Sequence, residues 1–149
     1  MIALASDHIG LDLKTEIKKL LDEMGIDYID YGTNSSQRVD YPIFGVRAAK
    51  AVASGDCKKG IICCGTGVGI GIAANKIPGI RCVICSECYS AKLSRQHNNT
   101  NILSLGSRVV GVDLAKMIVQ TWLTTAYEGG RHQGRIDLLT KLDMRQEIE

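Results

Sequence analysis

Residues 60–76, GIICCGTGVGIGIAANK, read as a buried strand, a glycine-rich turn and the start of a helix, with Cys64 at the corner. A strand that turns directly into a helix is the building unit of a parallel α/β sheet, and in such sheets that corner is where ligands sit. Glycines at 65, 67, 69 and 71 let bare backbone N–H groups approach a ligand closely. A helix starting there favours negative charge, so a thiol at the corner should lose its proton more readily than a free cysteine.

The spacing excludes two common nucleotide sites. Neither G-x-G-x-x-G nor G-x-x-x-x-G-K-[ST] can be fitted, because Ile70 and Ile72 occupy the positions where the last glycine would fall. At 149 residues and 45% hydrophobic content the chain can bury a full core and is expected to form one domain, residues 1–149. A net charge of +2, evenly spread, gives no reason to expect nucleic acid or a lipid surface as partner. No apolar stretch approaches the roughly 18 residues of a membrane span, and the opening Met1 to Ser6 has no basic leader. A cytoplasmic protein with a small-molecule ligand is expected.

Cys82, Cys85 and Cys88 match the beginning of an iron–sulfur ligand run, but no fourth cysteine follows at cluster spacing. Cys82 and Cys85 fall in an apolar stretch, Ile80 to Cys85, that reads as a buried strand, where cysteine acts as a small apolar residue. No metal and no cofactor are therefore expected. Adjacent Cys63 and Cys64 suit a reducing compartment rather than disulfides.

Strand-like runs recur at Ile2 to Ala5, Asp27 to Asp30, Gly60 to Cys63, Arg81 to Ile84 and Asn101 to Leu105, with helical patterns between them. That alternation predicts a Rossmann-like three-layer α/β sandwich, a five-stranded parallel sheet with helices on both faces. Leu13, Ile17, Leu20, Leu21 and Met24 form the apolar stripe of a first helix that Gly25 stops, and Pro42 is placed to open a second. A broad stripe through Ala115, Ile118, Val119, Trp122, Leu123 and Ala126 predicts a helix from Val112 to about Tyr127. A last helix, about Arg135 to Ile148, carries Leu138, Leu139 and Leu142 on one side. It comes after the sheet is complete, and a subunit contact is its expected use.

Three strand ends carry reactive side chains: Ser6-Asp7-His8, Cys64-Gly65-Thr66 and Ser107-Arg108. All three gather at the carboxyl edge of a parallel sheet. His97 lies in a polar run between a helix and a strand, where Asn98, Asn99 and Asn101 offer more amides than a turn needs. Arg131 and Arg135 are four apart, so on a helix start they share a face and could grip a phosphate. A phosphorylated sugar uses all of these at once. Moving a proton between its adjacent carbons needs one base and a stabiliser for the enediolate oxygen, with neither metal nor nucleotide.

Ser6-Asp7-His8, Gly32-Thr33, Asp40-Tyr41-Pro42, Cys64 to Gly69, Ala73 to Lys76, Gln96-His97-Asn98, Gly106-Ser107-Arg108 and Tyr127 to His132 together resemble the ribose/galactose isomerase family, which holds ribose-5-phosphate isomerase B and galactose-6-phosphate isomerase subunits. The resemblance runs from the first strand to the last helix. It implies a Rossmann-like fold without a nucleotide, and a homodimer or tetramer with active sites shared between subunits.

Carried over by residue, it implies that Cys64 moves the proton between C1 and C2, while Thr66 and the N–H groups of Gly65, Gly67, Val68 and Gly69 hold the enediolate. His97 matches the acid/base that opens the furanose ring, Asn98 and Asp7 match sugar contacts, and Tyr41 lines the pocket. His8, Arg108, Arg131 and Arg135 match the phosphate-binding set, some of it from the neighbouring subunit. Some members lack the cysteine and carry a carboxylate where this chain has Ile70, and Gly71 stands where serine is often expected, a departure that should loosen the turn. Cys63 is a rival thiol, but one residue earlier it faces the other side of the strand.

The expected reaction is the interconversion of D-ribose 5-phosphate and D-ribulose 5-phosphate, a step of the pentose phosphate pathway. A six-carbon substrate such as allose or galactose 6-phosphate is the nearest alternative, and a sugar-phosphate sensor without catalysis is a third.

Overall fold

The computed structural model describes residues 1–149. Along the chain run β1 (Ile2–Ser6), α1 (Leu11–Glu23), β2 (Tyr28–Asp30), α2 (Tyr41–Ala53), β3 (Lys59–Cys64), α3 (Val68–Asn75), β4 (Cys82–Ile84), α4 (Cys88–Asn98), β5 (Ile102–Gly106), α5 (Val112–Thr124) and α6 (Arg131–Asp143). The five strands form one parallel sheet in the order β2-β1-β3-β5-β4. The expected three-layer α/β sandwich is what the chain forms.

Alternation along the strands feeds two cores. Leu4, Ile61, Cys63, Leu103 and Leu105 pack with Ile17 and Leu21 of α1 and Ile118, Val119 and Trp122 of α5. Ala3, Ala5, Ile62, Cys64 and Ile102 face the other way, onto Ala48, Ala49 and Val52 of α2 and Ile70 and Ala74 of α3. The period-two pleat thus sends Cys63 and Cys64 to opposite faces. Ile70 is fully buried in the second core.

Strand register determines where the chemistry can lie. Ser6 pairs with Cys63 across β1 and β3, and Cys64 with Gly106 across β3 and β5, so three strand ends finish level at the carboxyl edge. Ile102, at the other end of β5, pairs with Gly60. What precedes β5 therefore lies at the amino edge, separated from Cys64 by about 13 Å or more of strand.

Four expectations need correction. β4 is confined to Cys82–Ile84 and is a partly exposed edge strand, because it pairs with β5 on one side and with no strand on the other. α5 ends at Thr124, not near Tyr127. Thr124 and Thr125 bond back to the carbonyls of Gln120 and Thr121, and the following backbone is drawn onto α4 by Arg95 Nε donating to Thr125 O and Glu128 N–H to Gln96 O. The last helix begins four residues early, at Arg131, released by Gly130 at φ +56, and stops at Asp143, before Arg145 turns left-handed. Leu138, Leu139 and Leu142 on it are exposed, whereas His132 and Ile136 are buried. Finally, Gly71 is inside α3 rather than in the turn.

One buried ion pair fastens the turn after β2. Lys14 is 1% exposed, and its Nζ lies 2.7 Å from Asp30 Oδ1 and 2.5 Å from Thr33 O. Burial alone would raise the Asp30 carboxyl, but Lys14, the Gly32 N–H and Lys18 overcome it and hold it below the usual carboxylate range. A carboxyl depressed in the folded state contributes stability above its unfolded value of about 3.9, lost as pH falls through the folded value. Asp30→Asn leaves Lys14 buried without its counter-charge and is expected to cost about 3 kcal/mol at neutral pH. Urea unfolding between pH 2 and 7 checks this: the variant should also lose part of the acid-side slope of the natural chain.

Candidate active site

At the carboxyl edge, β3 delivers Cys64 and the chain turns through Gly65, Thr66 and Gly67 into α3. The Gly67 N–H donates to Cys64 Sγ at 3.1 Å, and the Val68 N–H to Thr66 Oγ1 at 3.2 Å. The N–H groups of Gly65 and Thr66 have no partner within the chain, and those of Gly69 and Ile70 belong to the first turn of α3, where helices leave donors free. A thiol thus sits beside several unpaired donors, which suits a developing oxyanion next to a base.

The turn rests directly on β5. Gly67 is left-handed at φ +77, and a Cβ there would stand 2.8 Å from the carbonyl carbon of Leu105; a Cβ on Gly106 would meet the Thr66 carbonyl carbon at 2.5 Å. Ser107 and Arg108 N–H groups donate to the carbonyls of Cys64 and Gly65. The loop is stitched to its neighbour over its whole length.

The end of β1 completes this edge. Asp7 is buried, and its Oδ1 accepts from the Ile9 and Gly10 N–H groups at 3.0 and 2.8 Å, so it closes the start of α1. Its Oδ2 has no partner in the chain. His8 Nδ1 accepts from the Val39 N–H at 3.2 Å, leaving Nε2 for a ligand. His8 and the exposed Arg108 line one cleft of about 730 Å³ with Ser107. Tyr41 packs its ring against Gly69, where an added Cβ would lie 2.7 Å from it.

A second group of side chains lies at the amino edge. His97 and Asn98 close α4, and Asn99 in a left-handed conformation turns the chain toward β5. The His97 ring stacks on that of His132 at 4.3 Å, and His132 Nε2 lies 3.4 Å from Glu128 Oε2. Arg131 and Arg135, exposed and without ion pairs, begin α6 beside this stack. Arg95, Thr100, Ser94 and Trp122 hold the segment from below: Trp122 Nε1 donates to Thr100 Oγ1 at 2.9 Å, and Arg95 Nη1 donates to Thr100 O. A groove of about 520 Å³ between β4 and α6 takes in Asn98 but not Cys64.

One chain therefore unites Asp7, His8, Cys64, Gly65, Thr66, Gly67, Val68, Gly69, Tyr41 and Arg108, and keeps His97, Asn98, Arg131 and Arg135 apart from them. The residues expected to bind phosphate, His8, Arg108, Arg131 and Arg135, are thus split between the two edges. Among residues with metal-ligand chemistry, His97, Glu128 and His132 alone bring three donor atoms within 4.8 Å of one another, and Cys82, Cys85 and Cys88 do not. Burial pushes the Cys63 and Cys82 thiols up, and Cys85 to about 11, so none of these is a ready nucleophile or base. His132 enters the sequence reading only within the Tyr127 to His132 stretch and between two arginines, with no role of its own; its spacing of four from Glu128 is the signal that could have given it one. Ser104, beneath the loop, gave none.

The pattern of the Ribose/Galactose Isomerase family matches residues 2–139. The chain belongs to the ribose/galactose isomerase family. Within that family it is 58% identical to ribose-5-phosphate isomerase B of Escherichia coli over 145 residues, 97% of each chain. It superposes on the Clostridium thermocellum ribose-5-phosphate isomerase B with a TM-score of 0.95 at 51% identity, covering 97% of both chains. A Mycoplasma genitalium ribose-5-phosphate isomerase B solved with bound ribulose-5-phosphate matches with a TM-score of 0.93 at 39% identity, again over 97% of both.

In this member of the family the loop geometry depends on a residue without a side chain at 67. Gly67→Ala is expected to cost about 1–3 kcal/mol, from the left-handed backbone and the contact with Leu105, and to pull the N–H off Cys64. Thermal melting and turnover of the variant should fall together.

Proposed function

We propose that this chain interconverts D-ribose 5-phosphate and D-ribulose 5-phosphate, an aldose–ketose isomerisation in the pentose phosphate pathway, with Cys64 moving the proton. The observation that carries this reading is the Cys64 thiol set among the unpaired N–H groups of Gly65 and Thr66, in a family member so similar to ribose-5-phosphate isomerase B.

In the open-chain aldose, Cys64 as thiolate takes the proton from C2. The C–H electron pair becomes the C1–C2 double bond, and the carbonyl pair moves onto O1. The free loop N–H groups of Gly65, Thr66 and Gly69 and the Thr66 hydroxyl hold the resulting enediolate, with the Gly67 N–H on Cys64 Sγ and the Val68 N–H on Thr66 Oγ1 shaping the loop around it. The proton returns from Cys64 to C1, O2 gives up its proton to O1, and the ketose results. Asp7 Oδ2 is free to accept a sugar hydroxyl, and Tyr41 walls the pocket. The chemistry needs no metal and no cofactor.

The active site is completed by a second copy of the chain. His97 as the ring-opening acid/base, Asn98 as a sugar contact, and Arg131 and Arg135 as phosphate ligands come from the partner and join His8 and Arg108. Two observations support a homodimer, alone or within a tetramer: the separation of these groups from Cys64 within one chain, and the uncovered Leu138, Leu139 and Leu142 on α6. Each chain is a single isomerase domain, residues 1–149, and its six free cysteines fit the cytoplasm.

A coupled assay on ribose 5-phosphate, with and without chelator, tests the reading. Cys64→Ala should lose about 10²–10⁴-fold in kcat and stop exchanging the C2 hydrogen with solvent, whereas Cys63→Ala keeps turnover. Chelator should change nothing. A six-carbon aldose phosphate should be about 10–200-fold poorer in kcat/KM.

A further inference from the structure

Ser104 is fully buried in the middle of β5, on the sheet face that packs against α2 and α3. A hydroxyl there costs free energy unless it is bonded. It donates to the Gly67 carbonyl at 2.5 Å, and the same oxygen accepts the Gly71 N–H at 3.2 Å, the bond that starts α3. Gly67 is the residue whose N–H meets Cys64 Sγ, and the peptide that follows it carries the Val68 N–H to Thr66 Oγ1. The hydroxyl thus grips the hinge of the loop from beneath, at the one residue held in a left-handed conformation.

Position 71 bears on the same carbonyl. A Cβ on Gly71 would stand 3.2 Å from Ser104 Oγ and 2.5 Å from Ile84 Cγ1. A serine in a helix commonly turns its hydroxyl back to the carbonyl four residues earlier, and four before 71 is Gly67. Two positions, one on the strand and one on the helix, can therefore deliver a hydroxyl to the same oxygen. In this chain the strand delivers it and position 71 is bare.

We propose that Ser104 is a positioning residue for the isomerisation: its hydroxyl holds the Gly67 peptide so that the Gly67 N–H stays on Cys64 and the loop donors stay aimed at the enediolate. This rests on the isomerase reading given above. Ser104 touches no substrate and acts through the loop.

The test compares the natural chain, Ser104→Ala and the double variant Ser104→Ala/Gly71→Ser. Three readouts are taken: kcat and KM on ribose 5-phosphate, the thermal melt, and the pH dependence of Cys64 alkylation by iodoacetamide, followed by peptide mass. Ser104→Ala should keep a cooperative melt, lose about tenfold in kcat with KM changed less than about twofold, and alkylate more slowly at Cys64 at neutral pH. Serine at 71, with the partly exposed Ile84 turning aside, should restore at least half of the lost turnover and the alkylation profile. Unchanged kcat and alkylation in Ser104→Ala overturn the proposal. So does loss of turnover together with the melt that serine at 71 does not repair. Alkylation needs no substrate, so an inactive natural chain would refute the isomerase reading while the comparison at Cys64 still decides on Ser104.

Discussion

A parallel sheet has two chemically different edges, and the level register of β1, β3 and β5 makes that difference decisive here. Side chains that follow a strand collect at the carboxyl edge, and side chains that precede one are held at the other. Asp7, His8, Cys64, Thr66 and Arg108 all follow strands. His97 and Asn98 precede β5, and α6 packs its first turn against them. The length of β5 keeps the two groups apart, so no side-chain rotation within the chain can join Cys64 to His97.

The carboxyl-edge group is rigid because nothing separates the glycine loop from the strand beneath it. Gly67 and Gly106 let backbone rest on backbone, Ser107 and Arg108 bond back to the carbonyls of Cys64 and Gly65, and Ser104 closes the contact from the core. The amino-edge group has its own support in Trp122, Arg95 and Thr100, with His132 stacked on His97. Each half is therefore preorganised without the other, as two surfaces must be if they meet at an interface with little rearrangement.

Much of this was legible in the sequence where a local rule governs. The five strands, the strand–loop–helix around Cys64 and the opposite facing of Cys63 and Cys64 all follow from hydrophobic period and glycine placement. The sequence shows His97 before a strand rather than after one, but its place at the edge opposite Cys64 comes from the register of β3 and β5. What local rules miss is decided by contacts distant in sequence. α5 stops early because α4 takes its outgoing backbone, and β4 is an edge because β5 inserts beside β3. The bare position 71 reads as a loosened turn until Ser104 and Ile84 are seen to fill the space over it.

In the proposed dimer a working site joins the Cys64 edge of one chain to the His97 edge of another. Cys64→Ala and His97→Ala proteins, each purified and inactive, can be unfolded together, refolded and assayed on ribose 5-phosphate. Random pairing gives mixed dimers with one intact site of two, so activity should return to about a quarter of that of the natural protein. A mixture that stays as inactive as its components, although mass spectrometry shows mixed dimers, would contradict a site shared between chains.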